Sequence, residues 1–333
     1  MESALITTPS LRSASNEASA DLPLAVGPAI SASGGSEEVD VFIATLIAAD
    51  RLSGGEISAG QDAIAGAGGY PMGRSWVEED KACDLLFSSA PDPVRRALEG
   101  AFEGVDVIVQ GEAGRRKRLL IADMDSTMIT VECIDELADY AGIKAEVAEV
   151  TERAMRGELP FAEALRARVA LLKDLDEAVI DRCHEERVRV TPGAEALVRT
   201  MRREGAECLL VSGGFSRFAD PVGQAIGFNR AVSNELGIAG GRLNGEVVGP
   251  IVDGDAKRRE LLDAAAAAGI DLAETLAIGD GANDIPMLEA AGLGVAYRAK
   301  PKVAAAAAAR IDHNNLTALL YAQGYSRGQW EAV

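Results

Sequence analysis

The sequence has little of the side chains on which several kinds of site depend. It contains two histidines, His184 and His313, and four cysteines that are scattered singly with no CxxC pair. This leaves little material for histidine-based zinc sites or for a histidine-dependent catalytic triad. Scattered single cysteines are typical of proteins in the reducing cytosol, so we expect a cytoplasmic protein.

Positive charge and long apolar runs are also scarce. Lys and Arg total 33 against 52 Asp and Glu, which gives a formal net charge of −19. A field of that sign repels phosphate backbones, so we expect no nucleic-acid partner and no binding to anionic membranes. No apolar run reaches the length of about 18 residues that a membrane span needs. An anionic substrate is compatible with this chain only if its site supplies local positive charge.

The first 112 of the 333 residues predict a tail and a small domain. Residues 1–38 are rich in Ser, Ala and Gly, lack the features of an export signal, and are expected to be a mobile tail. Residues 39–112 predict a small α+β domain in the order β-α-β-α-β, with Ser75 to Phe87 as one strand. No catalytic residues cluster there, so its role is packing, oligomerisation or regulatory ligand binding. The basic run Arg115 to Arg118 that follows is expected to be solvated.

Residues 113–333 have a different pattern, in which short apolar runs alternate with helix-patterned segments. The runs are Leu119–Ala122, Cys208–Val211, Leu276–Ile278 and Leu293–Ala296. This alternation predicts an α/β fold, a doubly wound parallel sheet with helices on both faces. Residues from about 131 to 190 are almost entirely helical in pattern and predict an inserted helical cap. An Asn-Gly pair at Asn244 predicts a hairpin turn inside residues 242–248.

Carboxylates and glycines follow these runs, at the edge where such sheets bind ligands. The residues in question are Asp123 and Asp125 after the first run, Ser212, Gly213 and Gly214 after the second, and Asp280 and Asp284 after the third. Four carboxylates at one rim need a counter-charge, and a hard divalent cation such as Mg2+ suits oxygen ligands. With Lys257 nearby, a dianionic phosphate could bind. One carboxylate could attack phosphorus while a second protonates the leaving oxygen.

Four motifs in this order resemble those of the haloacid dehalogenase superfamily. They are Asp123-Met-Asp-Ser-Thr127, Ser212, Lys257 and Gly279-Asp-Gly-Ala-Asn-Asp284. Longer segments resemble the phosphoserine phosphatase family within it, over about residues 115–325; they begin at Asp123, Ala154, Leu165, Val211 and Gly279. The resemblance implies a Rossmann-like core with a helical cap and a regulatory-type domain before it. It also implies Mg2+-dependent hydrolysis of O-phospho-L-serine, a small-molecule substrate of serine biosynthesis.

The resemblance further implies a role for each matching residue. Asp123 would be the nucleophile that forms an aspartyl-phosphate, and Asp125 the general acid and then the general base. Mg2+ would be held by Asp123, Asp280 and the backbone carbonyl of Asp125. The phosphate-binding residues would be Ser212, Gly213, Lys257 and Asn283, while Glu132 and Arg168 would bind the serine moiety. The supporting residues would be Asp284, Gly214, Thr127, Met155 and Phe161, of which the last two would wall the substrate from water.

Two other functions stay open at this point. The same mechanism could act on another small phosphomonoester or transfer the phosphoryl group to an alcohol. A signalling receiver domain also combines an acidic rim, Mg2+ and a lysine, although an acid–base group such as Asp125 favours turnover over storage. From the residues alone, Lys257, Glu132 and Arg168 could also be solvated helix residues. The sequence predicts no oligomeric state.

Overall fold

The computed structural model describes residues 40–156 and 158–332. The predicted tail, residues 1–38, lies outside them, as does the side chain of Met155. Within this part of the chain the backbone forms two sheets, one of four strands and one of seven. No helix in these residues is both long enough and apolar enough to cross a bilayer.

The smaller sheet is antiparallel and carries two helices. Its elements are β1 (Phe42–Ala48), α1 (Gly54–Gly66), β2 (Tyr70–Glu78), β3 (Ala82–Ser88), α2 (Pro91–Leu98) and β4 (Val105–Gly111), with strand order β2-β3-β1-β4. Both helices pack on the sheet through buried aliphatic side chains, among them Ile57, Ile64 and Leu98. The prediction of one strand from Ser75 to Phe87 is wrong. Asp80 adopts a positive φ of 59° and turns the chain, so that β2 and β3 pair as two antiparallel strands.

The larger sheet is parallel except at one edge, which confirms the predicted α/β core. Its strands are β5 (Leu119–Ala122), β6 (Glu207–Phe215), β7 (Arg230–Ala239), β8 (Arg242–Val248), β9 (Thr275–Gly279), β10 (Leu293–Tyr297) and β11 (Ala309–Ile311), in the order β11-β10-β9-β5-β6-β7-β8. Side chains of β5 alternate between two cores, Leu120 and Ala122 in one and Leu119 and Ile121 in the other. Because both faces are covered, the strand is apolar throughout.

Helices cover both faces of this sheet, and one strand differs from its prediction. The helices are α7 (Ala194–Arg203), α8 (Ser216–Ile226), α9 (Gly254–Ala268), α10 (Ile285–Ala290), α11 (Pro301–Ala306) and α12 (Ala318–Ala322). Residues 242–248 were expected to contain a hairpin turn at Asn244, but they form the single edge strand β8, antiparallel to β7. The turn lies at Gly240 and Gly241, which both have positive φ, so two glycines supply the tight turn instead of the Asn-Gly pair.

Four helices lie between β5 and α7. They are α3 (Cys133–Ala141), α4 (Lys144–Met155), α5 (Phe161–Leu171) and α6 (Ala178–Arg187). The segment after α5 is tied to the sheet edge, because Asp174 N donates to Leu243 O and Leu243 N donates to Leu175 O, both at 2.9 Å. These helices therefore lie next to the end of the sheet at which β5 stops.

The two sheets meet through buried polar contacts. Asp106 on β4 accepts hydrogen bonds from the backbone N–H groups of Asp312, His313 and Asn314. The expectation that the basic run is solvated is wrong for two of its four residues. Arg115 forms an ion pair with buried Asp84 at 2.7 Å, and Lys117 donates to Ala273 O at 2.8 Å. Alternate residues of the run point inward because it is extended and leads into a central strand.

Candidate active site

The site begins at the residue that follows the central strand β5. Asp123 N donates to Ile278 O of β9 at 2.9 Å, which extends the sheet ladder by one residue and fixes the backbone of Asp123. The side chain of Asp123 is 8% exposed. β6 and β9 flank β5, so Ser212 and Asp280 reach the same edge from either side. The predicted convergence of the strand ends is therefore present.

Lys257 joins two of the predicted carboxylates. It lies in the first turn of α9, is fully buried, and places Nζ 2.6 Å from Asp123 Oδ1 and 2.7 Å from Asp284 Oδ1. Burial opposes its charge, but the two carboxylates outweigh burial and raise the pKa of Lys257. Lys257 is therefore a fixed ammonium at the rim and not a solvated helix lysine. Asp284 Oδ2 also accepts from Gly281 N at 2.9 Å, which holds the third acidic motif in place.

Asp123, Asp280 and Asp284 form an acidic cluster in which one oxygen from each lies within 4.8 Å of the others. Burial, together with the charge of Asp284, raises the pKa of Asp280 to about 6 and holds that of Asp123 well above its usual range. Thr127 Oγ1 donates to Asp280 Oδ1 at 2.8 Å and orients it. Three carboxylates therefore face one ammonium. This all-oxygen donor set with excess negative charge fits a hard divalent cation.

Asp125 follows Asp123 by two residues and lies beside the last residues of β6. Its Oδ1 accepts from Cys133 N at 3.2 Å, at the start of α3. Burial and the charge of Glu132 raise the pKa of Asp125 to about 7, which suits a group that must give and take a proton near neutral pH. A Cβ at Gly214 would lie 2.8 Å from Asp125 Oδ2. Only glycine at position 214 lets the backbone approach the carboxylate of Asp125 so closely.

The last residues of β6 bring polar groups and one aromatic ring together. Buried Ser212 accepts through Oγ from Gly214 N at 2.8 Å. A Cβ at Gly213 would lie 3.0 Å from Phe161 Cζ on α5 and 3.8 Å from Asn283 Nδ2. Gly213 therefore lies close to both Phe161 and Asn283.

Glu132 and Arg168 come to the rim from the inserted helices. Glu132 directly precedes α3, is exposed, and accepts through Oε1 from Ser126 Oγ at 2.6 Å. Arg168 on α5 is half-buried, and burial lowers its pKa while the charges of Asp135, Glu132 and Asp125 oppose that shift. The charges of Glu132 and Asp125 thus act on Arg168.

The residue prediction missed Asn234, which lies in the middle of β7. Its side chain is buried, donates from Nδ2 to Gly213 O at 2.8 Å and accepts through Oδ1 from Val252 N at 2.8 Å. Asn234 thereby ties Gly213, near the end of β6, to the segment that leads into α9 and Lys257. A polar residue that follows apolar residues of a parallel strand was the available signal. It was overlooked because β7 was not predicted as a strand.

Comparisons with known proteins agree with this geometry. Residues 120–289 match the family described as haloacid dehalogenase-like hydrolase. A curated phosphoserine phosphatase of Streptomyces coelicolor is 49% identical over 246 residues, which are 73% of this chain. The chain covers 60% of that protein's length.

Two solved structures extend the comparison. One is a probable phosphoserine phosphatase from Vibrio cholerae in unliganded form, with a TM-score of 0.66 at 32% identity. The match covers 87% of this chain and 88% of the Vibrio cholerae chain. The other is a phospho-aspartyl intermediate analogue of phosphoserine phosphatase, with a TM-score of 0.58 at 38% identity. This match covers 62% of this chain and 98% of the chain in that structure. The fold, the carboxylate rim and these matches define a haloacid dehalogenase-like hydrolase. Within that class, the chain belongs to the phosphoserine phosphatase family.

Proposed function

We propose that this chain hydrolyses O-phospho-L-serine to L-serine and phosphate through an aspartyl-phosphate on Asp123. The observation that carries the proposal is the pairing of buried Asp123 with Lys257 at 2.6 Å, at the same edge of the sheet as the glycines near the end of β6. The ammonium of Lys257 opposes the raised pKa of Asp123 and fixes its carboxylate at the rim, and it supplies positive charge for a phosphate in a chain of net charge −19. The solved structure of a phospho-aspartyl intermediate analogue in the family supports the covalent step.

The two carboxylates on the central loop divide the chemistry between them. A carboxylate oxygen of Asp123 attacks phosphorus, and the seryl oxygen leaves with a proton from Asp125. In the second step Asp125 takes a proton from water as the water attacks phosphorus, which releases phosphate and frees Asp123. The raised pKa of Asp125, about 7, keeps a proton available for the first step and a base available for the second.

The acidic cluster supports a bound divalent cation, for which we propose Mg2+. Asp123, Asp280 and the backbone carbonyl of Asp125 would hold it, with Asp284 as a supporting neighbour that also fixes Lys257. Bound there, the cation would offset the excess negative charge and polarise the phosphoryl oxygens. The closeness of three carboxylates within 4.8 Å supports this assignment.

The polar groups around the rim support separate positions for the two ends of phosphoserine. Ser212, Gly213, Lys257 and Asn283 would contact the phosphate. Glu132 would bind the ammonium group and Arg168 the carboxylate, because an amino acid needs one anion and one cation beyond the phosphate. Phe161 and Met155 would wall off the substrate, and the contact of Phe161 with the Gly213 region supports this for one of the pair.

We also propose the division of labour predicted along the chain, with a regulatory-type domain at residues 39–112 and a phosphatase domain at 113–333 that carries the cap. The separate core of the smaller sheet supports this division.

All four cysteines are buried free thiols, which supports a cytosolic site of action. The excess of negative charge supports a small molecule, and not a nucleic acid, as the partner.

Steady-state phosphate release tests the proposed function. The substrates are phosphoserine, phosphothreonine and phosphoethanolamine, each with Mg2+ and after chelation. We expect phosphoserine to be preferred, many phosphates to be released per chain, and chelation to stop the reaction. Equal rates on all three substrates would favour a broader phosphomonoesterase. A single equivalent of phosphate per chain would instead indicate a phospho-accepting switch.

A further inference from the structure

Ser126 lies in the catalytic loop between Asp125 and Thr127 and has no role in the steps above. Its backbone is left-handed, with φ 54° and ψ 1°, a conformation that residues other than glycine rarely adopt. Its N–H donates to Val131 O at 3.2 Å. The strained residue therefore turns the loop back on itself directly after Asp125.

This turn places two side-chain bridges next to each other. Asp125 accepts from the N–H of Cys133, and Ser126 donates through Oγ to Oε1 of Glu132 at 2.6 Å. Adjacent residues of the loop thus hold adjacent residues at the start of α3. Among the described residues, the carboxylate of Glu132 has no other hydrogen bond or ion pair. The orientation of this exposed side chain therefore depends on Ser126.

We propose that Ser126 is a positioning residue that sets selectivity for the substrate's ammonium group through Glu132. The inference rests on the proposed function, because it needs Glu132 to bind that group. The hydroxyl occupies Oε1 as a donor, so Oε2 remains for the ammonium. A glutamate that is already oriented loses less side-chain freedom on binding than a freely rotating one. The same bridge fixes the carboxylate of Glu132 relative to Asp125. It thereby fixes the position of the substrate's amino group relative to the reacting phosphate.

The test compares two substrates that differ only in the ammonium group. They are O-phospho-L-serine and 3-(phosphonooxy)propanoate, and the readout is the ratio of their kcat/KM values. Ser126→Ala removes the hydroxyl and keeps the strained backbone, whereas Ser126→Gly removes both the hydroxyl and the strain. We expect both variants to lower the ratio roughly fivefold, as for the loss of one hydrogen bond, mainly through KM for phosphoserine. A general loss of folded enzyme cancels in this ratio.

Two further variants frame the result. Thr130→Ala removes a hydroxyl from an exposed position of the same loop and should leave the ratio unchanged. Glu132→Gln should lower the ratio further than either Ser126 variant. Wild-type preference that is lost in Glu132→Gln but kept in both Ser126 variants would overturn this inference alone. A higher ratio in the Ser126 variants, or a ratio restored by glycine, would overturn it as well. No preference in the wild type would overturn the proposed function and the inference with it.

Discussion

Two buried clusters in this chain pair a cation with carboxylates, and they balance their charges differently. Between the two sheets, Arg115 faces Asp84 alone through two contacts of 2.7 Å, and its Nε donates to Ala322 O. At the rim, Lys257 faces Asp123 and Asp284 while Asp280 adds a third carboxylate nearby. The first cluster has one charge of each sign. The second has an excess of negative charge.

The difference shows what each cluster does. A one-to-one pair with well-placed hydrogen bonds is satisfied by the protein itself, and in this chain it fixes one sheet against the other. In the acidic cluster, by contrast, the pKa values of Asp123 and Asp280 are raised, because the protein does not offset the excess negative charge there. Such unrelieved charge is typical of a site that is completed by a ligand. We therefore expect variants of the first cluster to affect stability and variants of the second to affect chemistry.

The largest effect should come from Asp123→Asn. An amide cannot form the aspartyl-phosphate, so phosphate release from phosphoserine should fall by at least about 10³-fold. Stability should not fall with it, because Lys257 keeps Asp284 at 2.7 Å and the cluster loses one like charge. The measurements are steady-state phosphate release and urea unfolding of the metal-free proteins. Undiminished hydrolysis by Asp123→Asn would refute the covalent mechanism.

The rim was predictable because its residues follow local apolar runs. Leu119–Ala122 was predicted as a buried strand and forms β5 with those bounds, and Asp123 follows it directly. Parallel strands bring their ends to one edge, so sequence order alone indicated that Asp123 and Asp280 meet. Ser212 and Lys257 were found through the motifs that accompany these strands.

The interface between the sheets was not predictable in the same way. Arg115 lies 31 residues from Asp84, and no sequence pattern links them. The pair forms only because the two sheets pack against each other, so the basic run looked like an ordinary solvated segment. Ser126 was missed for a related reason. Its positive φ follows from the hydrogen bond to Val131, which a motif alone does not reveal.

The second effect in size should come from Arg115→Ala. Among residues 40–156 and 158–332, it leaves Asp84, which is 3% exposed, with only the hydroxyl of Thr45 as a side-chain partner. We therefore expect a loss of about 3 kcal/mol in the free energy of unfolding. The kcat of the folded enzyme should stay near that of the wild type, because Arg115 contacts no residue of the rim. Urea unfolding and phosphate release check both parts.

Arg118→Ala is the matched control for Arg115→Ala. Arg118 belongs to the same basic run, but its side chain is 54% exposed and pairs with Glu274 at the surface. Pairs of this kind contribute about 0–1 kcal/mol, so the control should unfold close to the wild type. Equal losses in the two variants would contradict the distinction between a buried, satisfied pair and an exposed one.

The smallest effect should be a change of stability with pH that arises from the carboxylates Asp280 and Asp125 at the rim. The pKa of Asp280 is raised to about 6 and that of Asp125 to about 7, so the folded, metal-free protein binds protons more tightly than the unfolded chain. Its free energy of unfolding should therefore fall as the pH rises from about 4 to about 7, on the order of 1 kcal/mol for these partly solvated groups. Urea unfolding in chelator from pH 4 to pH 8 measures this slope.

Two comparisons separate this slope from the general effect of a net charge of −19. Asp280→Asn removes one of the titrating groups and should flatten the slope, whereas Arg118→Ala should leave it unchanged. Mg2+ should stabilise the wild type more at pH 8 than at pH 5, because at low pH the ion must displace bound protons. A slope that Asp280→Asn does not alter would mean that the excess charge of the rim is relieved within the protein. The contrast between the two clusters would then fail.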